Sequence, residues 1–285
     1  MPDVGLIGIG LLGTAISECL VASGRSLIGF DLDADRRVQL TQAGGIVASD
    51  IAEVLREAPI VILSLPDHRI VERVVSEFPT AARGTLIIDT TTGDPESAIA
   101  IGRRLNEQGL RYVEATVIGS SRMLRERDVV VLLGGADADV AAAEPLVDAW
   151  ARQRFHVGPL GSAATAKLVA NLVLGLNRAV LAEGLNLAQR SGLDGSAMLE
   201  VLRSGLAYSR VMDTKGRKML DGEFTPEARL KQHHKDVGLI LELGARCRAR
   251  VPLTALHDRL LARAAELGFA DADNSAIIRA FQEPL

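Results

Sequence analysis

Hydrophobic positions in the first half of the chain alternate between two patterns. Short, β-branched and nearly continuous apolar runs, typical of strands buried on both faces, are separated by amphipathic stretches with helical spacing. This alternation predicts βαβ units, a parallel sheet and right-handed crossovers. The predicted strands are Val4–Gly8, Leu27–Asp31, Ile60–Leu65, Leu86–Thr90, Arg111–Ala115 and Val129–Leu133, and the helices between them include Asp67–Glu77 and Pro95–Gln108.

After Phe155–Leu160 the pattern becomes helical throughout. The longest predicted helix, Ser162–Ser191, has apolar residues on several faces, so we expect part of it to pack against another subunit of a homodimer or homotetramer. The pattern therefore predicts an α/β domain at 1–160 followed by an all-helical domain at 161–285. The later predicted helices are Ser196–Arg203, Arg210–Leu220, Arg229–Arg246, Pro252–Leu267 and Ser275–Phe281.

Composition excludes several classes of protein. The 285 residues are 48% hydrophobic and 24% charged with a net charge of −4, so no basic surface for nucleic acid is expected. No apolar run reaches the 18 residues of a membrane span. Cys19 and Cys247 form neither a disulfide framework nor a zinc motif, so we expect buried thiols and a cytoplasmic location.

A glycine motif follows the first strand and opens a helix: Gly8-Ile9-Gly10-Leu11-Leu12-Gly13. In this context a GxGxxG predicts a dinucleotide site, with the pyrophosphate at the helix N-terminus and a Rossmann-type N-terminal domain. Asp31 ends the second strand 18 residues after Gly13, where a carboxylate accepts hydrogen bonds from the adenosine ribose. We therefore expect NAD as the preferred cofactor, with NADP as the alternative because Arg36 and Arg37 follow.

Two further strand ends are expected at the same edge of the sheet, where ligands of open α/β sheets bind. The segment Ser64-Leu65-Pro66 ends one strand and Thr90-Thr91-Thr92 ends the next. Leu65, Pro66 and Thr92 are therefore candidate cofactor contacts. The threonine hydroxyls either bond the nucleotide or only cap the strand end.

The chain resembles the β-hydroxyacid dehydrogenase family, which includes 3-hydroxyisobutyrate dehydrogenase and 2-hydroxy-3-oxopropionate reductase. The glycine motif, Ser64-Leu65-Pro66-Asp67 and Asp89-Thr90-Thr91-Thr92-Gly93-Asp94-Pro95 are similar to family motifs. The most specific match is Gly158–Asn171, which contains Lys167 and Asn171 in the positions of the family's catalytic lysine and asparagine. The resemblance also implies that Lys235, in a Lys-Asp pair, lies against the cofactor, and that the C-terminal domain is like that of 6-phosphogluconate dehydrogenase.

Lys167 and Asn171 are four residues apart and so share one face of a helix. Hydride transfer between nicotinamide and an alcohol also requires a proton to be taken from, or given to, the substrate oxygen. A lysine whose pKa is brought toward neutrality does both, and Asn171 holds the substrate oxygen or the lysine in line. We therefore expect an NAD(P)-dependent dehydrogenase of a small 3-hydroxy acid or its semialdehyde.

The predicted substrate loop departs from the family. Where the family reads Asp-Ala-Pro-Val-Ser-Gly-Gly, Ile118 replaces the serine and Ser120 the second glycine. The backbone N–H groups of Gly119 and Ser120 remain candidates for a substrate carboxylate. Arg122 is either a site for a second anionic group or part of a solvated arginine cluster.

Two alternatives remain open on these residues. The apolar loop residues Ile118 and Met123 raise the possibility of an imine or ketoacid reductase, against which Lys167 argues. The altered loop also raises that of a nicotinamide-binding sensor without turnover. No metal site is expected, because the adjacent His233 and His234 point in different directions on a helix. The substrate, the direction of the reaction and the number of subunits are not determined by the sequence.

Overall fold

The computed structural model describes residues 1–79 and 84–282. The last three residues of the predicted second domain, 283–285, lie outside this range. The chain divides into two compact units, Met1–Lys167 and Leu168–Leu285. This division falls inside a long helix, whereas the predicted division preceded that helix.

The first unit contains an eight-stranded sheet, counted over the described residues, in the order β3-β2-β1-β4-β5-β6-β7-β8. All six strands predicted from the sequence form, with small differences at their ends. The strands are β1 (Val4–Ile7), β2 (Leu27–Phe30), β3 (Ile46–Val47), β4 (Ile60–Leu63), β5 (Leu86–Asp89), β6 (Arg111–Ile118), β7 (Val130–Gly134) and β8 (Gln153–His156). The predicted Rossmann-type fold of this unit is thereby confirmed.

The expectation of a fully parallel sheet was wrong at one position. Strands β1 to β6 pair in parallel, but β7 runs antiparallel to β6, with Thr116 opposite Leu132. The connection between β6 and β7 contains only the short helix Ser121–Arg125, which is too short for a parallel crossover. Strands β3 and β8 were not predicted, because both are short edge strands with mostly exposed side chains.

Helices cover both faces of this sheet and bury two apolar clusters. One cluster includes Leu6, Ile62 and Trp150, and the other includes Ile7, Val61 and Tyr112, so alternate residues of β1 and β4 face opposite layers. Trp150 is the chain's one tryptophan and is fully buried. The helices are α1 (Leu11–Ala22), α2 (Ala34–Gln42), α3 (Ile51–Glu57), α4 (His68–Ser76), α5 (Pro95–Glu107), α6 (Ser121–Arg125) and α7 (Asp137–Val147).

The helix α8 (Ser162–Arg190) begins at the predicted serine and continues into the second unit. That unit is helical throughout its described part, as predicted, and buries one apolar cluster that includes Leu185, Leu199 and Ile277. Its remaining helices are α9 (Gly195–Ser204), α10 (Val211–Asp221), α11 (Leu230–Arg246), α12 (Pro252–Ala264), a short helical segment Ala265–Phe269, a 3₁₀ turn Asn274–Ile278 and α13 (Arg279–Gln282).

The side of α8 within the second unit that bears Val169, Val173, Val180 and Leu187 is exposed and apolar. Among the described residues, α8 is the one helix long and apolar enough to cross a membrane, and 44% of its most apolar window is buried inside the protein. A core helix of the same length meets this test equally well, so length and composition do not decide between the two.

The two cysteines differ in their surroundings. Cys19 is buried on α1, and its thiol lies 3.5 Å from the carbonyl oxygen of Leu124. Cys247 is exposed, so the expectation that both thiols are buried was wrong. Cys247 follows the last residue of α11, where the apolar face of the helix has already ended.

Candidate functional site

The strand order brings the predicted nucleotide-binding segments of the first unit to one edge of the sheet. β1 lies between β2 and β4, so the order of the strands reverses at β1. The parallel strands β1, β2, β4 and β5 all end at this edge. Ligands of open α/β sheets bind at such a reversal. The segments that follow these four strands contain Gly8–Gly13, Asp31, Leu65-Pro66 and Thr92.

Each glycine of the motif meets a different steric demand. Gly8 has a positive φ of +94°, and a Cβ there would lie 2.4 Å from the carbonyl oxygen of Ser64. A Cβ at Gly13 would lie 2.1 Å from the carbonyl oxygen of Gly8. Around Gly10 the space is open: a Cβ would meet no atom within 4 Å. Gly10 precedes the first turn of α1, so this open approach leads to the N-terminus of a 12-residue helix. A pyrophosphate fits this arrangement.

Asp31 connects the glycine loop to the end of β2. Its Oδ2 accepts a hydrogen bond of 2.6 Å from the backbone N–H of Ile9, and its Oδ1 accepts one of 2.9 Å from Asp33. Arg37 donates to the backbone carbonyl of Asp31 at 2.6 Å, whereas Arg36 donates to Gln39 on its own helix. The carboxylate is therefore held in a fixed orientation beside the loop.

The ends of β4 and β5 are joined through Thr91. The backbone N–H of Leu65 donates to the Thr91 hydroxyl at 3.3 Å, and the backbone N–H of Thr91 donates to Asp89 at 2.9 Å. Thr91 is buried, so its hydroxyl has a structural partner. Thr92 is half-buried and Pro66 is exposed at the same edge.

Lys167 is 93% buried at the end of the first unit, on the second turn of α8. Its Nζ donates a hydrogen bond of 2.6 Å to the carbonyl oxygen of Val117 on β6. An ammonium group removed from water requires such acceptors. The long side chain is therefore held at a defined point, which is unusual for a lysine.

Glu114 is a second buried charged group on β6. Its carboxylate accepts hydrogen bonds from the backbone N–H groups of Gly161, at 2.5 Å, and Ala164, at 2.9 Å, at the start of α8. Burial raises the pKa of Glu114 to about 7, against the effect of these backbone hydrogen bonds, and the neighbouring Asp89 also raises it.

In the second unit, Asn171 is buried on α8, and its Nδ2 donates to Oδ2 of Asp236 on α11 at 2.9 Å. Lys235, half-buried beside it, places its Nζ 3.3 Å from Oδ1 of the same aspartate. Asp236 thus orients both the candidate catalytic asparagine and the candidate cofactor-binding lysine.

The predicted substrate loop follows β6. Gly119 has a φ of +148°, and a Cβ there would lie 2.5 Å from Cγ1 of Val129, so this position requires glycine. The Ser120 hydroxyl accepts from the backbone N–H of Met123 and caps α6. Arg122 is exposed and donates at 3.1 Å to Glu126, the residue that follows α6.

The adjacent histidines of α11 have different neighbours. His234 lies 3.0 Å from Asp258, whereas the ring of His233 packs at 5.2 Å from that of His257. Over the part of the chain that the structure describes, no group of three histidine, cysteine or acidic side chains is arranged to hold a metal ion.

Two family models together cover almost the whole chain. Residues 3–158 match the model described as the NAD binding domain of 6-phosphogluconate dehydrogenase, and residues 161–281 match that described as NAD-binding of NADP-dependent 3-hydroxyisobutyrate dehydrogenase. The chain belongs to the β-hydroxyacid dehydrogenase family. It is therefore an oxidoreductase that uses a nicotinamide cofactor, and the open approach to the N-terminus of α1 fits such a group.

Individual members of the family align over nearly their whole length. 2-(Hydroxymethyl)glutarate dehydrogenase of Eubacterium barkeri is 28% identical, with 98% of this chain and 95% of that protein covered. Glyoxylate/succinic semialdehyde reductase 1 of Arabidopsis thaliana is 29% identical, with 98% of both chains covered. The structure of Mycobacterium tuberculosis 3-hydroxyisobutyrate dehydrogenase with L-serine superposes with a TM-score of 0.89 at 25% identity, over 99% of this chain and 100% of that one.

Sequence reasoning did not assign roles to Glu114, Val117 or Asp236. The sequence does give an indication for Glu114, because a charged residue in an otherwise apolar buried strand needs a hydrogen-bonding partner. Val117 acts through its backbone carbonyl, which no side-chain pattern reveals. Asp236 was noted only as part of the Lys-Asp pair, and its bond to Asn171 joins residues 65 positions apart.

Proposed function

We propose that this family member catalyses hydride transfer between nicotinamide and a small 3-hydroxy acid or its semialdehyde, with Lys167 as general acid and base. The observation that carries the proposal is the buried amine of Lys167 on α8, which donates to the backbone carbonyl of Val117 on β6. Four residues later on the same helix lies the buried amide of Asn171, which Asp236 orients. The similarity to dehydrogenases and reductases of small carboxylates supports the substrate class.

The nicotinamide, when bound, accepts or delivers the hydride, and the protein provides orientation and the proton. In the oxidative direction, Nζ of Lys167 takes the proton of the substrate hydroxyl; in the reductive direction, it returns a proton to the carbonyl oxygen. The hydrogen bond to Val117 limits where Nζ lies, and Asp236 limits where the Asn171 amide lies. Lys167 and Asn171 favour this activity over an imine reductase or a sensor without turnover.

For the cofactor, we propose a preference for NAD over NADP. Gly8, Ile9, Gly10, Leu11, Leu12 and Gly13 would receive the pyrophosphate, and Leu65, Pro66, Thr92 and Lys235 would contact the remainder. The carboxylate of Asp31, fixed by the N–H groups of Ile9 and Asp33, would bond the ribose hydroxyls and repel a 2′-phosphate.

For the substrate, we propose Gly119, Ser120, Lys167 and Asn171 as binding residues, with the backbone N–H groups of Gly119 and Ser120 receiving its carboxylate. Arg122 is retained as a site for a second anionic group, in competition with its exposed ion pair to Glu126. If Arg122→Ala leaves the KM of the best substrate unchanged, that role is excluded.

The experiment is a spectrophotometric assay with NADH and NADPH against short semialdehydes and glyoxylate. Lys167→Ala should lower kcat by about 10²–10⁴-fold, the usual contribution of a general acid or base, while NADH binding measured by fluorescence is kept. Lys231→Ala, which changes an exposed lysine, is the control. Near-normal turnover by Lys167→Ala would contradict the assignment.

Asp31→Ser should reduce the preference for NADH over NADPH.

We further propose that the exposed apolar side of α8 within the second unit packs against a second copy of the chain in a cytoplasmic homodimer or homotetramer. Val173 and Val180 lie on this side. Light scattering at micromolar protein concentration tests this, and a monomeric mass would contradict it.

A further inference from the structure

The first turn of α8 is attached to β6 through the side chain of Glu114. This residue is only 2% exposed, yet both of its carboxylate oxygens accept backbone N–H bonds, from Gly161 and Ala164. The first N–H groups of a helix have no acceptor within the helix and form its positive end. A carboxylate is the side chain best suited to that position, and charge-assisted bonds of this kind are about twice as strong as neutral ones.

The same two segments are joined again one turn later. Val117 lies three residues after Glu114 on β6, and Lys167 lies three residues after Ala164 on α8; the Lys167 Nζ donates to the Val117 carbonyl at 2.6 Å. The Thr116 hydroxyl adds a bond of 3.3 Å to the Ala163 carbonyl. These contacts fix both the rotation and the axial position of the first two turns of α8 against β6.

We propose that Glu114 is a positioning residue for the reaction. Its carboxylate holds the start of α8, so that the Lys167 Nζ stays hydrogen-bonded to the Val117 carbonyl and is correctly placed for proton transfer. This inference rests on the proposed role of Lys167. Its consequence is steep, because a misplacement of about 1 Å can cost roughly 100-fold in rate. The positioning should require the charged form of Glu114, which accepts from both N–H groups.

The surroundings of Glu114 determine when that charge is present. Asp89 lies opposite Glu114 in the register of β5 and β6, and His68 of α4 lies 4.0 Å from Asp89. Tyr112 donates to Asp89, and burial keeps the pKa of this phenol well above its usual value. From β7 the neighbour is Gly134, and from the start of α8 the neighbours are the backbone N–H groups of Gly161 and Ala164. With a pKa of about 7, Glu114 changes its charge in the neutral range. Histidines in general titrate close to this range, so a variant of Glu114 itself is needed to assign the effect.

The test compares Glu114→Gln, which keeps the volume and removes the charge, with Glu114→Asp, which keeps the charge. Asp50→Asn is the matched control, because Asp50 caps α3 of the same unit by a 2.7 Å bond to Glu53 and lies outside the proposed site. Trp150 fluorescence verifies folding. The readouts are the rate of Lys167 acetylation relative to exposed Lys231, measured by mass spectrometry without turnover, and the pH profile of kcat.

In Glu114→Gln we expect Lys167 to be acetylated about 10-fold faster, as for the loss of roughly 1.4 kcal/mol of hydrogen bonding. We also expect kcat to fall by about 10–100-fold and its decrease below pH 7 to disappear. Glu114→Asp should keep that decrease and recover much of kcat, and Asp50→Asn should behave as wild type. A folded Glu114→Gln with wild-type acetylation and pH profile would overturn the proposal, as would Glu114→Asp that behaves like Glu114→Gln.

If Glu114→Gln does not fold, amide hydrogen exchange of the wild type over residues 161–167 replaces it. In a local opening that removes the two N–H donors while Glu114 stays buried on β6, the closed state favours the charged carboxylate, because these bonds lower its pKa. Protection, corrected for the intrinsic pH dependence of exchange, should therefore decrease as the pH falls through 7, and unchanged protection would overturn the proposal. The acetylation readout needs no turnover. It therefore tests whether Glu114 holds Lys167 even if Lys167→Ala remains active, an outcome that would contradict the proposed function alone.

Discussion

The two units each bury a carboxylate that accepts backbone N–H bonds at the start of a helical segment, but the pKa values of the two move in opposite directions. Burial and the neighbouring Asp89 raise the pKa of Glu114 in the first unit to about 7. In the second unit Asp273 is fully buried, which alone would raise its pKa, yet the pKa is lowered to about 2 because Lys215 outweighs burial. Both oxygens of Asp273 lie 2.9 Å from the Lys215 Nζ.

The difference shows that backbone hydrogen bonds alone do not keep a buried carboxylate acidic. Asp273 also accepts from the backbone of Ser275 and Glu227, as Glu114 does from Gly161 and Ala164. What separates the two is a cation in direct contact. Asp273 is therefore a permanent charge that holds the second unit together, whereas Glu114 can change its charge near neutral pH.

The largest effect should follow from removal of the cation. Lys215→Met leaves Asp273 buried without its ion pair, and breaking such a pair costs roughly 3–5 kcal/mol of unfolding free energy. The nearby Arg178, which is also buried, offsets part of this loss through its attraction to Asp273. Urea unfolding followed by far-UV circular dichroism measures the effect, with Lys231→Met at an exposed site as the control. A loss below about 1 kcal/mol, the value of a surface pair, would show that the contact with Lys215 does not distinguish the two carboxylates.

A somewhat smaller effect concerns Glu114 and pH. Because its pKa is higher in the folded protein than the usual 4.5 of a glutamate, its stabilising contribution is complete below pH 4.5 and is lost as the pH rises through 7. The unfolding free energy should therefore fall by roughly 3 kcal/mol over this range. Glu114→Gln should lack this fall, as measured by urea unfolding of the first unit through Trp150 fluorescence at pH 5 and pH 8. Equal pH dependence in both proteins would contradict the raised pKa.

The smallest effect should come from Asp273, with the opposite sign. Its pKa is lowered from the usual 3.8 to about 2, so its contribution of roughly 2 kcal/mol is present above pH 3.8 and is lost as the pH falls toward 2. The difference in unfolding free energy between wild type and Asp273→Asn should therefore shrink from pH 5 to pH 3, by far-UV circular dichroism. If the difference in unfolding free energy between wild type and Asp273→Asn instead grows from pH 5 to pH 3, the pKa of Asp273 is not lowered, and the contrast with Glu114 is wrong.

The fold was largely predictable because its signals are local. The six central strands are nearly continuous apolar runs, and α8 begins at Ser162, where the helical pattern of the sequence begins. The edge strands β3 and β8 lack that pattern, and the reversed direction of β7 follows from a short connection and not from the composition of the strand. The glycine loop was predictable for the same reason: Gly8 and Gly13 each meet a steric demand within a few residues or at the neighbouring strand, and Gly10 leaves the approach to α1 open.

The sequence by itself determined the sheet of the first unit, the helical second unit, the dinucleotide loop and the pairing of Lys167 with Asn171 on one helix. Periodicity, capping and fixed spacing act over a few residues and are written directly in the chain. Only the tertiary structure decided what holds those residues: the Val117 carbonyl and Glu114 lie 50 positions from their partners on α8, and Asp236 lies 65 positions from Asn171. Whether a buried charge is paired depends on which distant segment packs against it, and that contact decides whether the charge is permanent or titrates.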